Sequence, residues 1–277
     1  MSIQNIHYVI EGKGIPVVLL HGFLEDITMW DEFSTKLITQ HTIIRIDLLG
    51  HGKTISQGAV YSMEEQAKLV KSVLDQEQIS EVIIIGHSMG GYITLAFAEQ
   101  YPQMVKGFSL FFSSATEDSS KKKEQRNRLV ELVKKQRQSF IQTAIPNLFH
   151  NPDKKLLQPF VEKTKKMAKN VTTENIVASL YGMRSRKDRT SVLQTSIPKQ
   201  LLMGRFDTAL DRKSLEKQIN TAYNLEYKIF DTGHMGHYEA PKETFTEVNT
   251  FIKNVVSHWH FTFFYIIRLE LISIIWQ

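Results

Sequence analysis

The sequence predicts an α/β fold, a doubly wound and mostly parallel sheet into which a helical cap is inserted. Short apolar stretches alternate with amphipathic ones, as in parallel strands joined by crossover helices. Residues 82–85 are wholly apolar and β-branched, which is typical of a strand buried on both faces. Between residues 114 and 196 the alternation stops, and Lys-rich helical sequence replaces it. The first two observations predict the sheet, and the third predicts the cap.

The N-terminal stretch is predicted to alternate strand and helix. Residues 3–10 alternate weakly in polarity and predict an edge strand, whereas the wholly apolar residues 16–20 predict a buried one. Residues 26–40 carry aromatic and aliphatic side chains at helical spacing and predict a helix. Residues 42–47 predict the next buried strand.

A helix over residues 62–75 comes next. Ser62 is placed as its N-cap, and Glu65 completes a capping box, in which each side chain binds the other residue's backbone amide. The strand at 82–85 and two further elements follow it, a helix over 92–100 and a strand over 105–112.

The inserted segment is predicted to be helical, and the strand–helix alternation resumes after it. Its clearest predicted helices are 120–143, 153–170 and 173–183. The later elements are a strand over 200–203, a helix over 211–221, a strand over 225–230 and a helix over 241–256. We therefore divide the chain into a core of residues 1–113 and 197–256 and a cap of residues 114–196.

The last 21 residues, 257–277, do not fit this pattern. They are too apolar for a solvated terminus, but Arg268 and Glu270 lie near their middle. A central Arg makes a membrane span unfavourable by roughly 2.5–3.5 kcal/mol, so no span is expected. A docked element, an oligomer contact and a non-native extension remain open for this C-terminal extension.

The central strand leads into a G-x-S-x-G pentapeptide, residues 86–90, and then into a helix. Strand, tight turn and helix are the context of a nucleophile elbow, which exposes a serine at the strand end. Side chains in place of Gly86 and Gly90 would collide with neighbouring backbone in so sharp a turn. Ser88 is therefore the candidate nucleophile, and the Met89 amide is placed to stabilise an oxyanion.

A serine nucleophile needs a base, and the base needs an orienting acid. Asp207 follows the strand after the insertion, and His234 follows the last strand. The chain order Ser, Asp, His is that of the α/β-hydrolases. Asp211 competes with Asp207 but also suits the N-cap of the following helix. His237 competes with His234, but the pair lacks a third ligand or an H-E-x-x-H pattern, so no metal site is predicted.

These motifs together resemble the α/β-hydrolase fold superfamily, in its branch of small capped serine esterases. The resemblance covers residues 3–256 and rests on five segments. Residues 21–23 match the family's HG-x loop, residues 47–52 its D-x-x-G-H-G loop and residues 86–91 its elbow. Residues 204–207 match the turn that carries the acid, and residues 233–241 match the G-H-x-x-x-x-E-x-P signature of the base. It implies that the Phe23 amide joins that of Met89 in an oxyanion hole. Thr54 stands where the family usually has serine.

Four further histidines are assigned around these motifs. His21 and His51 are expected to structure loops. His87 lies inside the elbow, and we place His21, His87 and His237 as candidates for the pocket wall.

The resemblance implies a serine hydrolase that cleaves a small-molecule carboxylic ester or thioester through an acyl-enzyme, without a cofactor. Three alternatives stay open on the same scaffold. One is a lyase acting on an anionic substrate, as in the pyruvate-eliminating synthase of menaquinone biosynthesis, whose G-x-S-M-G-G elbow is similar. The others are a carbon–carbon bond hydrolase and a non-enzymatic ligand receptor.

Charge is unevenly distributed. Residues 114–196 hold 18 Lys and Arg against 8 Asp and Glu, a net charge of 18 − 8 = +10, while the whole chain carries +5. No nucleic-acid recognition motif accompanies the basic cap, so its cations predict a solvated face or a contact with an acidic substrate or carrier protein.

The chain has no cysteine and no basic-then-apolar leader, which predicts a cytoplasmic protein.

Overall fold

A computed structural model of the protein describes residues 5–257. Within them, one sheet contains the strands β1 (Tyr8–Glu11), β2 (Ile15–Leu20), β3 (His41–Ile46), β4 (Val82–His87), β5 (Val105–Phe111), β6 (Lys199–Gly204) and β7 (Leu225–Phe230). Their order across the sheet is β1-β3-β2-β4-β5-β6-β7. Strand β1 is antiparallel to β3, and the other neighbouring pairs are parallel. The predicted mostly parallel sheet is confirmed.

The helices are α1 (Asp31–Leu37), α2 (Met63–Gln76), α3 (Met89–Gln100), α4 (Ser120–Ala144), α5 (Gln158–Asn170), α6 (Thr173–Ser185), α7 (Arg212–Thr221), α8 (Gly236–Glu239) and α9, which runs from residue 241 to residue 257. Helices α4, α5 and α6 lie between β5 and β6, where helical sequence was predicted. The capping box of α2 forms as predicted, with Ser62 and Glu65 exchanging hydrogen bonds. The exact division into core and cap stays a prediction.

Apolar side chains of the central strands alternate between two hydrophobic layers. Val17 and Ile83 face the layer built around Trp30 and Phe251, while Val18 and Ile84 face the opposite layer. Burial on both faces of the sheet fixes the register of these strands, because a slip by one residue would exchange the two faces.

Some elements begin or end elsewhere than predicted. Strand β1 begins at Tyr8, and residues 3 and 4 of its predicted range lie outside the described residues. The predicted helix over 26–40 is a 3₁₀ turn, Ile27–Trp30, followed by α1, because Asp26 caps the turn by accepting from the Thr28 amide. Helix α5 begins at Gln158 rather than at residue 153, and Pro159 lies in its first turn, where a missing amide proton costs nothing.

The cap is attached to the core at both ends and along one side. The Arg189 amide donates to the Ala115 carbonyl at 2.8 Å, so the chain leaving the core and the chain returning to it are joined by a backbone bond. The Arg189 guanidinium also binds Glu64 and Glu99 of α2 and α3. Along the side, the Tyr61 amide donates to the Ala178 carbonyl of α6 at 3.0 Å. These contacts hold the cap over the carboxyl ends of the strands.

Lys199, at the start of β6, is a buried cation at the sheet edge away from the cap. Its Nζ donates to the carbonyl oxygens of Thr195 and Tyr223, each at 2.7 Å. Burial lowers the pKa of its ammonium from 10.5 to about 8. The folded chain therefore binds fewer protons at this site than the unfolded chain between these two pH values.

We expect the free energy of unfolding to rise with pH between about 8 and 10.5. In this range Lys199 is protonated in the unfolded chain but not in the folded one, so folding releases a proton and is favoured as pH increases. Lys199→Met removes the titrating group, while the other lysines titrate equally in both proteins. The measurement is urea unfolding of both proteins across this pH range. A difference in unfolding free energy that does not change with pH would contradict the prediction.

Most of the predicted C-terminal extension, residues 258–277, lies outside the described residues. Over residues 5–257, no helix is both long and apolar enough to cross a bilayer.

Candidate active site

Ser88 lies in the sharp turn between β4 and α3. Its backbone has φ +51° and ψ −112°, a sparsely populated conformation that costs about 1–3 kcal/mol and must be held by its surroundings. The Ser88 amide donates to the Phe111 carbonyl at 3.0 Å, and the Ser113 hydroxyl donates to the Ser88 carbonyl at 2.7 Å. A Cβ at Gly90 would lie 2.5 Å from the Leu20 carbonyl oxygen, so glycine is required beside the serine. The turn thus directs the Ser88 hydroxyl away from the sheet.

The structure brings Ser88, His234 and Asp207 together. The Ser88 hydroxyl donates to His234 Nε2 at 2.8 Å, and His234 Nδ1 donates to Asp207 Oδ2 at 2.7 Å. The second Asp207 oxygen accepts from the Ala209 amide at 2.7 Å. The alternative acid, Asp211, instead caps α7 by accepting from the Lys213 and Ser214 amides.

Electrostatics favour an ionised Asp207. Burial alone would raise the pKa of Asp207, but the charge of His234 and its hydrogen bond outweigh burial and hold that pKa below its ordinary 3.8. An ionised carboxylate on Nδ1 fixes the ring tautomer that leaves Nε2 free to accept the serine proton. Such an arrangement is chemically able to activate the Ser88 hydroxyl as a nucleophile.

Two backbone amides near Ser88 are free to donate. Within residues 5–257, neither the Phe23 nor the Met89 amide donates a hydrogen bond. Phe23 follows β2 and Met89 begins α3, and β2 and β4 are neighbours in the sheet. Free amides at the ends of adjacent strands, one of them at a helix N-terminus, suit a developing negative charge.

A buried ion pair that was not predicted lies behind His234. His87 Nδ1 donates to Glu25 Oε2 at 2.8 Å, and His87 Nε2 donates to the His234 carbonyl at 3.2 Å. Because both ring nitrogens face acceptors, the surroundings of His87 favour its charged imidazolium form. Burial would lower its pKa, but the charge of Glu25 and the hydrogen bond raise it. Burial would likewise raise the pKa of Glu25, but the charge of His87 lowers it to about 2.

Glu25 also connects this pair to the loop after β2. Its Oε2 accepts from the Gly22 amide at 2.7 Å, directly before Phe23. Glu25 was missed because an acidic residue after a strand usually faces solvent. The only sequence signal is its position in the HGFLED stretch, two residues beyond the HG-x motif.

The other predicted histidines lie close by but play different parts. His21 Nδ1 donates to the carbonyl of the next residue, Gly22, and His21 Nε2 accepts from the Leu48 amide at 3.0 Å. His21 therefore joins the loop after β2 to the loop after β3. His51 is buried, and burial lowers its pKa to about 3. His237 is buried between aromatic rings, and burial lowers its pKa well below 6.5, so its ring is neutral. Among the described residues, no group of three or more His, Asp or Glu side chains is arranged to hold a metal ion.

Motif residues outside the trio hold the loops in place. Glu239 accepts from the Gly233 amide at 3.0 Å and from the His150 amide at 2.9 Å, which ties the His234 loop to the cap.

Asp47 accepts from the Ile27 amide at 2.9 Å and the Lys53 amide at 2.9 Å, and Thr54 donates to the Asp47 carbonyl at 2.6 Å. Serine and threonine both offer this hydroxyl, so threonine at position 54 preserves the contact.

A cavity of about 730 Å³ opens onto Ser88 and His234. Its wall is mostly apolar and comes largely from α4, which kinks at Gln136. Of the three pocket histidines predicted, its lining includes His87 but neither His21 nor His237. The volume suits a small-molecule ligand.

Similar proteins of known sequence and structure identify the fold family of the chain. The sequence model of the alpha/beta hydrolase fold family matches residues 15–241. The chain belongs to the α/β-hydrolase family. A thermophilic esterase from Thermogutta terrifontis, solved with malate bound, is similar to this chain at a TM-score of 0.85. The two are 28% identical, and the match covers 90% of this chain and 93% of that one.

The relatives of this chain differ in the share of their own length that the match covers. The pyrrolizixenacetamide deacetylase of Xenorhabdus hominickii is 22% identical over 90% of this chain and 94% of its own length. A putative 2-succinyl-6-hydroxy-2,4-cyclohexadiene-1-carboxylate synthase of Bacillus subtilis is 36% identical over 96 residues, 35% of its length. An uncharacterized Mycobacterium tuberculosis protein is 38% identical over 96 residues, and this chain spans 28% of its length.

Proposed function

We propose that this α/β-hydrolase is a serine esterase that cleaves a carboxylic ester or thioester through an acyl-enzyme intermediate. The observation that carries the proposal is the unbroken hydrogen-bond chain from Ser88 through His234 to Asp207 at the wall of a mostly apolar cavity. The similarity to an esterase of 28% identity supports the same assignment.

In the proposed mechanism the Ser88 hydroxyl attacks the carbonyl carbon while His234 Nε2 takes its proton. Asp207 stabilises the imidazolium that forms, and the Phe23 and Met89 amides bind the oxyanion. His234 then protonates the leaving alcohol or thiol, which departs as the acyl-enzyme forms. Water activated by His234 attacks the acyl-enzyme and releases the acid and free Ser88. Each amide of the oxyanion hole is expected to lower the barrier by about 3–4 kcal/mol.

Hydrolysis of p-nitrophenyl esters from acetate to decanoate tests the proposal. Because the cavity wall is apolar, kcat/KM should rise about fourfold with each added methylene until the cavity is filled. A fluorophosphonate should add one phosphonyl group, located by peptide mass spectrometry on Ser88. The proposal fails if no ester is turned over, or if the adduct forms on another residue.

A lyase is the second candidate, favoured by the similarity to the Bacillus subtilis synthase across 34% of this chain and by cations in the cavity wall. In a lyase, His234 would abstract a carbon-bound proton with no acyl-enzyme formed. A protein that eliminates pyruvate from an anionic substrate and does not hydrolyse the ester series would favour this candidate.

A further inference from the structure

The cap end of the active-site cavity carries an excess of positive charge. Among the described residues that line the cavity, α4 contributes Lys122, Arg126 and Arg128, while the one lining carboxylate is Glu25. Glu25 is already paired with His87. An apolar chamber with cations at one end suits a ligand that is apolar along its length and negatively charged at its tip.

Two of the three cations already have carboxylate partners. Arg126 binds Asp118 through its Nε, and Arg186 binds the other Asp118 oxygen at 2.5 Å. Arg128 pairs with Glu124 on the exposed side of α4 at 2.6 Å. Two guanidinium groups therefore share one buried carboxylate, which leaves the surroundings of Asp118 positively charged.

Lys122 is different. Its Nζ donates to the Ala209 carbonyl at 3.1 Å, and in the part of the chain that the structure describes no carboxylate lies within 4.0 Å of it. Burial lowers its pKa, and the charge of Arg126 lowers that pKa further, because a second cation nearby disfavours another positive charge. The charges of Asp118 and Asp207 oppose this lowering but do not outweigh it. This ammonium is partly withdrawn from water and, among the described residues, forms no direct ion pair with a carboxylate.

The position of Lys122 makes it accessible to a ligand. It lines the active-site cavity and also a second, more polar cavity of about 640 Å³ on the other side of the loop after Asp207. Tyr92, Ala209 and Leu210 are shared by the two linings. Lys122 therefore lies where the two cavities meet.

We propose that Lys122 binds a carboxylate carried by the substrate, so that the preferred substrates are esters with a distal carboxylate, such as monoesters of dicarboxylic acids. The proposal rests on the proposed esterase function for the identity of the reacting group. A carboxylate arriving at Lys122 neutralises a poorly solvated charge, so the contact is stronger than a surface ion pair. The apolar wall holds the chain between the ester and the carboxylate.

The test measures binding separately from turnover, using Ser88→Ala protein so that the probes are not hydrolysed. Calorimetry compares monomethyl adipate, a monoanion, with dimethyl adipate, its neutral counterpart. We expect the monoanion to bind at least about tenfold more tightly. Lys122→Met should abolish this preference, Lys122→Arg should retain part of it, and Lys135→Met, which removes an exposed charge from the same helix, should leave it unchanged.

Equal affinity of the two probes, or a preference that survives Lys122→Met, overturns the proposal. If Lys122→Met does not fold, the same comparison of the two probes is made with Lys122→Gln against the wild-type residue at position 122. With Ser88 intact, the ratio of kcat/KM for mono-p-nitrophenyl adipate over p-nitrophenyl hexanoate should fall about tenfold in Lys122→Met. Monoanion binding without turnover of any ester would instead count against the esterase function and leave the anion subsite standing.

Discussion

Replacing Ser88 with alanine is expected to lower kcat/KM on the best p-nitrophenyl ester by at least about 10⁴-fold, because the attacking oxygen is lost while the amides near it remain. The hydroxyl lies 2.8 Å from His234 Nε2, the nitrogen proposed to take its proton. A Ser88→Ala, His234→Ala double variant should be no slower than Ser88→Ala alone, since the two side chains act as a unit. Stopped-flow and steady-state rates on the ester series measure both effects.

Ser88→Gly is the matched control for folding. Its activity should be as low as that of Ser88→Ala, but its free energy of unfolding should be about 1 kcal/mol higher than that of Ser88→Ala, since glycine adopts a φ of +51° without strain. Activity retained in either variant would show that Ser88 is not the nucleophile. Equal stability of the two variants would show that the elbow is not strained.

Replacing Glu25 with glutamine is expected to destabilise the fold by about 3–5 kcal/mol, the usual cost of removing one partner of a buried ion pair. Glutamine keeps an oxygen for the Gly22 amide but leaves the buried His87 without a counter-charge. The loop carrying Phe23 loses part of its support, so kcat on esters should also fall. Glu243→Gln, at an exposed position, should change stability by about 0.5 kcal/mol or less.

The pH dependence of the stability difference between wild type and Glu25→Gln tests the ion pair of Glu25 and His87. Glu25 has a lowered pKa, so its contribution is complete above pH 4.5 and is lost as pH falls through about 2. His87 has a raised pKa, so its contribution is complete below pH 6.5 and is lost as pH rises through its folded value. The stability difference between wild type and Glu25→Gln should therefore be largest between pH 4.5 and 6.5. A difference independent of pH would contradict the ion pair.

The sequence was sufficient to predict the sheet, the inserted helices and the meeting of Ser88, Asp207 and His234. Parallel strands end at one edge of a sheet, so residues that follow β4, β6 and β7 converge wherever those strands are neighbours or nearly so. The glycines around Ser88 add a local constraint that few other turns share.

Pairings across the fold could not be predicted in the same way. Glu25 meets His87 only because β2 and β4 are adjacent, although 62 residues separate the two in the chain. Lys122 is one of 18 cations in the segment 114–196, and only the folded cap shows that it lines the active-site cavity and donates to the Ala209 carbonyl. His237 was placed at the pocket wall, but packing against Trp30 and Tyr238 puts it behind that wall.

The backbone bond between Ala115 and Arg189 bears on the redesign of the cavity wall. A segment whose entry and exit points lie one hydrogen bond apart can be lengthened, shortened or exchanged without moving the flanking strands, as in tolerated domain insertions. Ser88, Asp207 and His234 all lie outside that segment, whereas much of the cavity wall lies inside it. Grafting the corresponding segment of a homologue between residues 115 and 189 is therefore expected to change the cavity wall while leaving Ser88, Asp207 and His234 in place.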